Sequence, residues 1–328
     1  MIVAITGGTG FIGKKLVARL VARGDVVQLL TRQPVLFEKH SLLEVYECDL
    51  LTARASELAT ILQGVDVLYH CAGQLKDVRT MKSLHVDATR KLIEAASGRI
   101  GHWVQLSSVG VYGPTVKGTV TEESRLDPSG EYETTKTDSD LIVSDAANKG
   151  GFSCSILRPS NVYGAGMSNR SLYALIAMIQ RGLFFFIGRP GASANYIHVD
   201  NVAEALLLCG TIPQAAGQIY NLSDHRTMEQ FVGVIARSLG KEMPQTRVSE
   251  FFIRPLTKLL GNLPGIPLTE ARVDALTGRA IYSNEKIERK LGYRHLVSME
   301  EGMKDMVRFW RETTRGMSTT QEVRRECK

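Results

Sequence analysis

Tyr132 and Lys136, in the run Tyr132-Glu133-Thr134-Thr135-Lys136, stand at i and i+4. On a helix that spacing puts both side chains on one face. A phenol is ordinarily a poor acid or base near neutrality. A neighbouring ammonium favours the phenolate and lowers that pKa, so a tyrosine beside a lysine can trade a proton with a carbinol or carbonyl oxygen. Ser107-Ser108 close an apolar run and precede Val109-Gly110-Val111-Tyr112-Gly113. The Ser108 hydroxyl is then placed to hydrogen-bond the same reacting oxygen. Each feature has a bland alternative, an ordinary helix surface or a loop-capping serine, and gains weight only from its company.

That company is a glycine-rich turn. Gly7-Gly8-Thr9-Gly10-Phe11-Ile12-Gly13 follows the strand-like run Ile2–Thr6 and opens a helical pattern. Of the spaced glycines Gly7, Gly10 and Gly13, one lets the chain turn tightly and one lets backbone N–H groups approach a pyrophosphate. Gly13 lets the helix lie close on the sheet, and Phe11 and Ile12 within the turn are taken with the glycines as cofactor-binding residues. The phosphate then sits at the positive helix N-terminus. A bound nicotinamide cation would further favour a Tyr132 phenolate. The second strand ends in Leu30-Thr31-Arg32-Gln33, with no acid to take a ribose 2′-hydroxyl. Arg32 suits a 2′-phosphate, which points to NADP ahead of NAD.

These groups must be positioned by a parallel sheet with crossover helices. Short β-type runs alternate with helical patterns through the first half. Strands are expected at Ile2–Thr6, Val26–Thr31, Val45–Cys48, Val67–His70, His102–Ser107 and Ser153–Leu157. Helices are expected over Ile12–Ala22, Met81–Ala96 and Tyr132–Asn148. After Pro159 loops lengthen, with strands at Tyr196–Val199 and Gln218–Leu222 and helices at Asn201–Cys209, Met228–Leu239 and Met299–Glu312. The expected fold is α/β: a Rossmann-like doubly wound sheet over residues 1–160 and a smaller substrate-binding lobe over 161–328. The chain is expected to cross between them more than once.

Composition narrows the class. Net charge is +6 over 328 residues and is spread along the chain, apart from Arg324, Arg325 and Lys328 at the end. No Lys/Arg stretch interleaves with aromatics, so nucleic acid is not the expected partner, and anionic small molecules are. The five cysteines, Cys48, Cys71, Cys154, Cys209 and Cys327, show no ligand spacing and suit a reducing cytoplasm. No apolar run is long enough to span a bilayer. Phe251–Leu268, broken by Pro255, Pro264 and Pro267, reads as a packed lid or helix pair, with a membrane-surface patch as the weaker reading. The seven histidines offer no metal site.

Taken together these marks resemble the extended short-chain dehydrogenase/reductases, the family of nucleotide-sugar epimerases, dehydratases and 4-ketosugar reductases, with hydroxysteroid and dihydroflavonol relatives. The likeness covers nearly the whole chain. It rests on the glycine turn, Cys48-Asp49-Leu50, His70-Cys71-Ala72-Gly73, Ser108 to Gly113, the Tyr132/Lys136 pair, Leu157-Arg158-Pro159-Ser160-Asn161-Val162-Tyr163-Gly164 and Tyr196-Ile197-His198-Val199-Asp200-Asn201-Val202-Ala203. The resemblance implies that Asp49 and Leu50 flank the adenine and that Ala72 and Gly73 line the diphosphate. Ser108 and Tyr132 would do the chemistry, with Lys136 on the ribose, Pro159 near the nicotinamide and Asn161 on a substrate phosphate. It also implies a homodimer through the Met81–Ala96 and Tyr132–Asn148 helices.

Two departures bear on function. His85 stands where such chains carry Asn, which puts a proton relay there in doubt; a buried structural histidine and an imidazole bridging water are both open. Ala194 stands where sugar-nucleotide members carry a phosphate-clamping Arg, with Arg189 and Arg170 as possible substitutes. Val109 and Gly110 occupy the acid and base positions of dehydratases, which disfavours dehydration. The leading expectation is an NADP-dependent oxidoreductase or epimerase acting on a nucleotide-diphosphate sugar. The second is a hydroxysteroid- or flavonol-type dehydrogenase with an apolar substrate. The third, a non-catalytic dinucleotide-binding module, is opposed by Ser108, Tyr132 and Lys136 all being present.

Overall fold

The computed structural model describes residues 1–34, 40–114, 117–260 and 270–326. Cys327, Lys328 and the side chains of Arg324 and Arg325 lie outside this, as do residues 261–268 of the apolar segment expected as a lid. The chain divides into two compact units, one of residues 1–162, 199–223 and 282–296, the other of 163–198, 224–281 and 297–328.

The first unit is built on seven parallel strands: β1 (Ile2–Thr6), β2 (Val26–Thr31), β3 (Leu43–Glu47), β4 (Val65–His70), β5 (Ile100–Leu106), β6 (Ser153–Pro159) and β7 (Gln218–Leu222). Their order is β7-β6-β5-β4-β1-β2-β3. β1 pairs with β2 and β4, Thr6 lying beside Leu30 on one side and His70 on the other. The chain thus winds outward both ways from β1, and the crevice at the carboxyl ends of β1 and β4 is where such sheets take ligands.

Helices cover both faces. α1 (Phe11–Arg23) buries Gly13, Leu16, Val17 and Leu20, and Lys15 and Arg19 on it pair with Asp200 and Glu204 on α6 (Val199–Thr211). On the opposite face α2 (Ala55–Ile61), α4 (Ala88–Ala96) and α5 (Glu131–Asn148) close a core of Leu58, Leu92, Ala95, Trp103 and Val143. At roughly 25 cal/mol per Å² of apolar area, burial of this kind supplies most of the fold's stabilisation.

The helix expected as one piece over Met81–Ala96 is three: α3 (Val78–Lys82), a π-helical turn at Ser83–Asp87, and α4. The wide turn follows from Ala88 N–H bonding the Ser83 carbonyl, and apolar spacing does not report one extra residue per turn. α2 was not expected; with seven residues and Leu58 its buried member it is too short to show a period. β3 starts at Leu43 rather than Val45 because its register with β2 runs from Val27↔Leu43 to Thr31↔Glu47.

In the second unit the strand expected at Tyr196–Val199 is Ser193–His198, antiparallel to Asp224–Thr227. A helix covers Met228–Leu239, capped by Thr227, and Phe231 on it stacks on Tyr196 with ring centroids 4.4 Å apart. Another covers Glu250–Leu260 and contains Pro255.

Candidate active site

The glycine turn is shaped by close approach. Gly7 has φ +70°, and a Cβ on it would lie 2.6 Å from the Ala72 nitrogen and from the Cys71 carbonyl. The turn after β1 and the loop after β4 therefore touch backbone to backbone at the switch point. A Cβ on Gly13 would lie 2.2 Å from the Gly7 carbonyl oxygen, so α1 starts directly against the turn. Gly10 caps α1 with no side-chain hydrogen bond, and no acid sits in the first turn. The turn fits a diphosphate: side chains would fill the cradle, and first-turn N–H donors lack a side-chain acceptor.

The other expected cofactor residues surround this edge. Arg32 follows β2 and is exposed. Asp49 receives the Leu51 N–H at 3.0 Å, and Lys91 on α4 holds the Leu50 and Leu51 carbonyls at 3.1 Å each, which fixes the loop after β3. Ala72 N–H reaches Thr6 Oγ1 at 3.4 Å. Gly73 lies beside His85, whose Nε2 would be 3.5 Å from a Cβ there. Pro159 ends β6 and is buried; Asn161, two residues on, is exposed.

Ser108, Tyr132 and Lys136 meet at the carboxyl end of β5. Ser108 caps the short 3₁₀ turn Val109–Tyr112, its hydroxyl accepting from Gly110 N–H at 3.1 Å, and it lies beside the Tyr132 phenol. Tyr132 lies in the first turn of α5. Lys136, one turn on and 4% exposed, donates from Nζ to the Leu106 carbonyl.

The electrostatics differ from the expectation that the ammonium lowers the phenol's pKa. Burial, seconded by Glu133, pushes Tyr132 up to about 12, and the Ser108 hydroxyl opposes this. Lys136 gives one of its three donors to Leu106, and burial lowers its own pKa while Asp140 and Cys71 oppose. The protein's own groups leave Tyr132 a neutral phenol, a proton donor.

His85 is 2% exposed and has both ring nitrogens engaged: Gln74 N–H donates to Nε2 at 2.8 Å, and Nδ1 meets Thr135 Oγ1 at 2.8 Å. Of the two readings left open for it, the structure favours the hydrogen-bonded buried histidine over a water bridge.

Sequence reasoning missed the groups behind this face. Asp140, four residues past Lys136, takes Ser107 Oγ at 2.7 Å and pairs with Arg158 at 3.2 Å. The i+4 spacing of Asp140 from Lys136 and the Arg158 of the Leu157-Arg158-Pro159 run were the available signals. In the second unit, Ala194 is 1% exposed, and its cross-strand partner is Arg226, itself paired with Asp224 at 2.9 Å. Arg170 and Arg189 are exposed in that unit.

A family model described as the NAD dependent epimerase/dehydratase family matches residues 3–223. The 3beta-hydroxysteroid-dehydrogenase/decarboxylase isoform 2 of Arabidopsis thaliana is 25% identical, over 97% of this chain and 63% of its own length. A 4-hydroxy-2-methyl-3-oxo-4-farnesyl-3,4-dihydroquinoline-1-oxide ketoreductase of Stigmatella aurantiaca is 27% identical, over 91% of this chain and 93% of its own. Among solved structures, a UDP-glucuronic acid 4-epimerase from Bacillus cereus, in complex with UDP-glucuronic acid and NAD, has a TM-score of 0.73 at 19% identity. It covers 95% of this chain and 100% of its own, and at that identity the likeness is one of fold.

Proposed function

Because this chain belongs to the NAD-dependent epimerase/dehydratase family, we propose that it is an oxidoreductase or epimerase acting at a carbinol or keto carbon of a nucleotide-diphosphate sugar. The observation that carries the reading is the placing of Ser108, at the carboxyl end of β5, beside the Tyr132 phenol, with Lys136 one turn along α5 and its Nζ on the Leu106 carbonyl. A nicotinamide dinucleotide, when bound, supplies or accepts the hydride. Gly7, Gly10, Phe11, Ile12 and Gly13 would hold its diphosphate, with Ala72 and Gly73 on the other side. Asp49 and Leu50 would flank the adenine, and Pro159 the nicotinamide. The exposed Arg32, with no acid beside it, favours the 2′-phosphate of NADP over NAD.

In reduction Tyr132 gives its proton to the carbonyl oxygen, to which Ser108 donates a hydrogen bond; in oxidation Tyr132 takes the carbinol proton back. Lys136, with two donors left beyond the Leu106 carbonyl, would hold the ribose hydroxyls of that dinucleotide. Val109 and Gly110 give no acid and base for dehydration. Asn161, exposed past β6, would meet a substrate phosphate. The pair of α4 and α5, with Leu141 of α5 56% exposed, would carry a homodimer, which the mass in solution tests. Cys48, Cys71, Cys154 and Cys209 are free thiols, which suits a reducing cytoplasm. No helix among the described residues is long and apolar enough to cross a membrane.

The second reading, an apolar alcohol or ketone as substrate, is favoured by Ala194, a small residue closed into the second unit in place of the Arg that sugar-nucleotide members carry. The names of the hydroxysteroid and farnesyl-quinoline relatives lean the same way.

Thermal unfolding with saturating NADP and added UDP, dTDP or GDP separates the two. A ligand at a hundredfold excess over Kd stabilises by about 2.7 kcal/mol. A shift with one nucleotide supports the sugar-nucleotide reading; none with any of them moves the assignment to apolar substrates.

A further inference from the structure

The ring of His85 joins three separate segments of the first unit. A backbone N–H can only donate, so the 2.8 Å contact from Gln74 requires Nε2 to be an acceptor. In a neutral imidazole the proton is then on Nδ1, which donates to Thr135 Oγ1 at 2.8 Å. The Thr135 hydroxyl donates in turn to the Glu131 carbonyl at 2.7 Å, one turn back on α5. Every direction in this chain is fixed, from the loop after β4, through the π-helical turn, to the first turns of α5. The same ring presents an edge to Tyr132, with centroids 5.7 Å apart and planes at 78°. Thr135 is the residue before Lys136 and lies three past Tyr132, so a bond to it sets the rotation of α5 about its axis.

We infer that His85 is a positioning residue, a clamp that holds the Tyr132/Lys136 face of α5 against the loop 72–74. The π-helical turn belongs to the device, since it is the segment from which the ring reaches both partners. Burial and Lys136 push His85 down to about 4, so the clamp stays neutral and keeps its one donor and one acceptor through the physiological range. The inference rests on the reading above, in which Tyr132, Lys136 and the loop 72–74 face the dinucleotide.

The two arms can be cut separately. Asn places an amide nitrogen where Nδ1 is, and so keeps the Thr135 arm. Gln reaches the Nε2 position with an acceptor oxygen, and so keeps the Gln74 arm. Affinities for NADPH and for ADP, which carries only the adenosine diphosphate half, are to be measured for His85→Ala, His85→Asn, His85→Gln and Thr135→Val, with hydrogen exchange of the Gln74 amide. His85→Ala should weaken NADPH by about tenfold or more, the scale of a lost buried hydrogen bond, and weaken ADP, which meets the loop 72–74 but not the Tyr132/Lys136 face, by clearly less. His85→Asn should speed Gln74 exchange by about tenfold while His85→Gln leaves it slow, and Thr135→Val should match His85→Gln in NADPH affinity. Unchanged NADPH affinity in folded His85→Ala, or equal losses for NADPH and ADP, overturns the inference, the second by reducing His85 to general support of the fold. If His85→Ala does not fold, the Asn, Gln and Val variants decide by the same pattern. Should Lys136→Ala leave NADPH affinity untouched, the placement of the dinucleotide is what fails. The Gln74 exchange contrast then decides the clamp alone, sustaining it when present and overturning it when absent.

Discussion

Arg158, at the end of β6, meets Asp140 of α5 with both Nε and Nη2 3.2 Å from the same carboxylate oxygen, and the two side chains are 3% and 2% exposed. The pair lies one helical turn beyond Lys136. Arg158 also donates to Tyr112 Oη at 3.1 Å, and Tyr112 donates to Asn221 Oδ1 at 2.8 Å, so the charge pair anchors α5 to β6, β7 and the turn after β5.

Removing one partner of this pair strands the other charge in a dry interior. Arg158→Met should cost about 3–5 kcal/mol in urea unfolding. Adding Asp140→Asn to it should cost less than the two single changes summed, because the double variant buries no unpaired charge. Strict additivity would show the pair to be incidental.

Tyr132→Phe removes the proton donor and keeps the ring against His85. Turnover should fall by about 10²–10⁴ while dinucleotide affinity stays near wild type. The absorbance change of the nicotinamide at a fixed concentration of the stabilising sugar nucleotide checks it. A Phe variant that keeps its rate would remove Tyr132 from the chemistry.

Arg32→Ala should raise the Kd for NADPH by about tenfold to a hundredfold, the worth of a charge-assisted contact, and leave NADH within about twofold. Equal effects on both dinucleotides would mean that Arg32 does not read the 2′-phosphate.

Gly7→Ala meets two obstacles, a φ of +70° and backbone atoms of Cys71 and Ala72 at 2.6 Å. The turn must open, so dinucleotide affinity should fall at least as much as thermal stability does. Gly24→Ala, with φ +90° but nothing within 4 Å, is the control for the conformational cost alone. It should lower stability without touching affinity.

Stability should fall on the acid side of neutrality. Burial first and Lys136 second push His85 down to about 4 and His70 to about 3, against about 6.5 in an unfolded chain. Above pH 6.5 both states leave these rings neutral and the native fold is at full strength. As pH drops below 6.5 the unfolded chain takes up protons that the native state refuses, and stability is lost down to the folded values. The slope is at most about 1.4 kcal/mol per pH unit for each ring. His85→Asn should reduce the dependence of the melting temperature on pH between 7.5 and 5; an unchanged dependence would contradict this account.

The strand periods, the glycine spacing at residues 7, 10 and 13, and the i, i+4 pair Tyr132/Lys136 are local patterns. The sequence alone therefore determined a parallel α/β sheet, a diphosphate turn after β1, and which side chains share a face of α5. Contacts between distant segments carry no such pattern. Only the tertiary structure decided that Arg158 lies behind Asp140, that Lys136 donates to the Leu106 carbonyl, and that burial holds Tyr132 high rather than low. The same holds for His85. Its identity could be read but its partners could not, because Gln74 and Thr135 are 11 and 50 residues away and meet it only once β4, the π-helical turn and α5 are packed together.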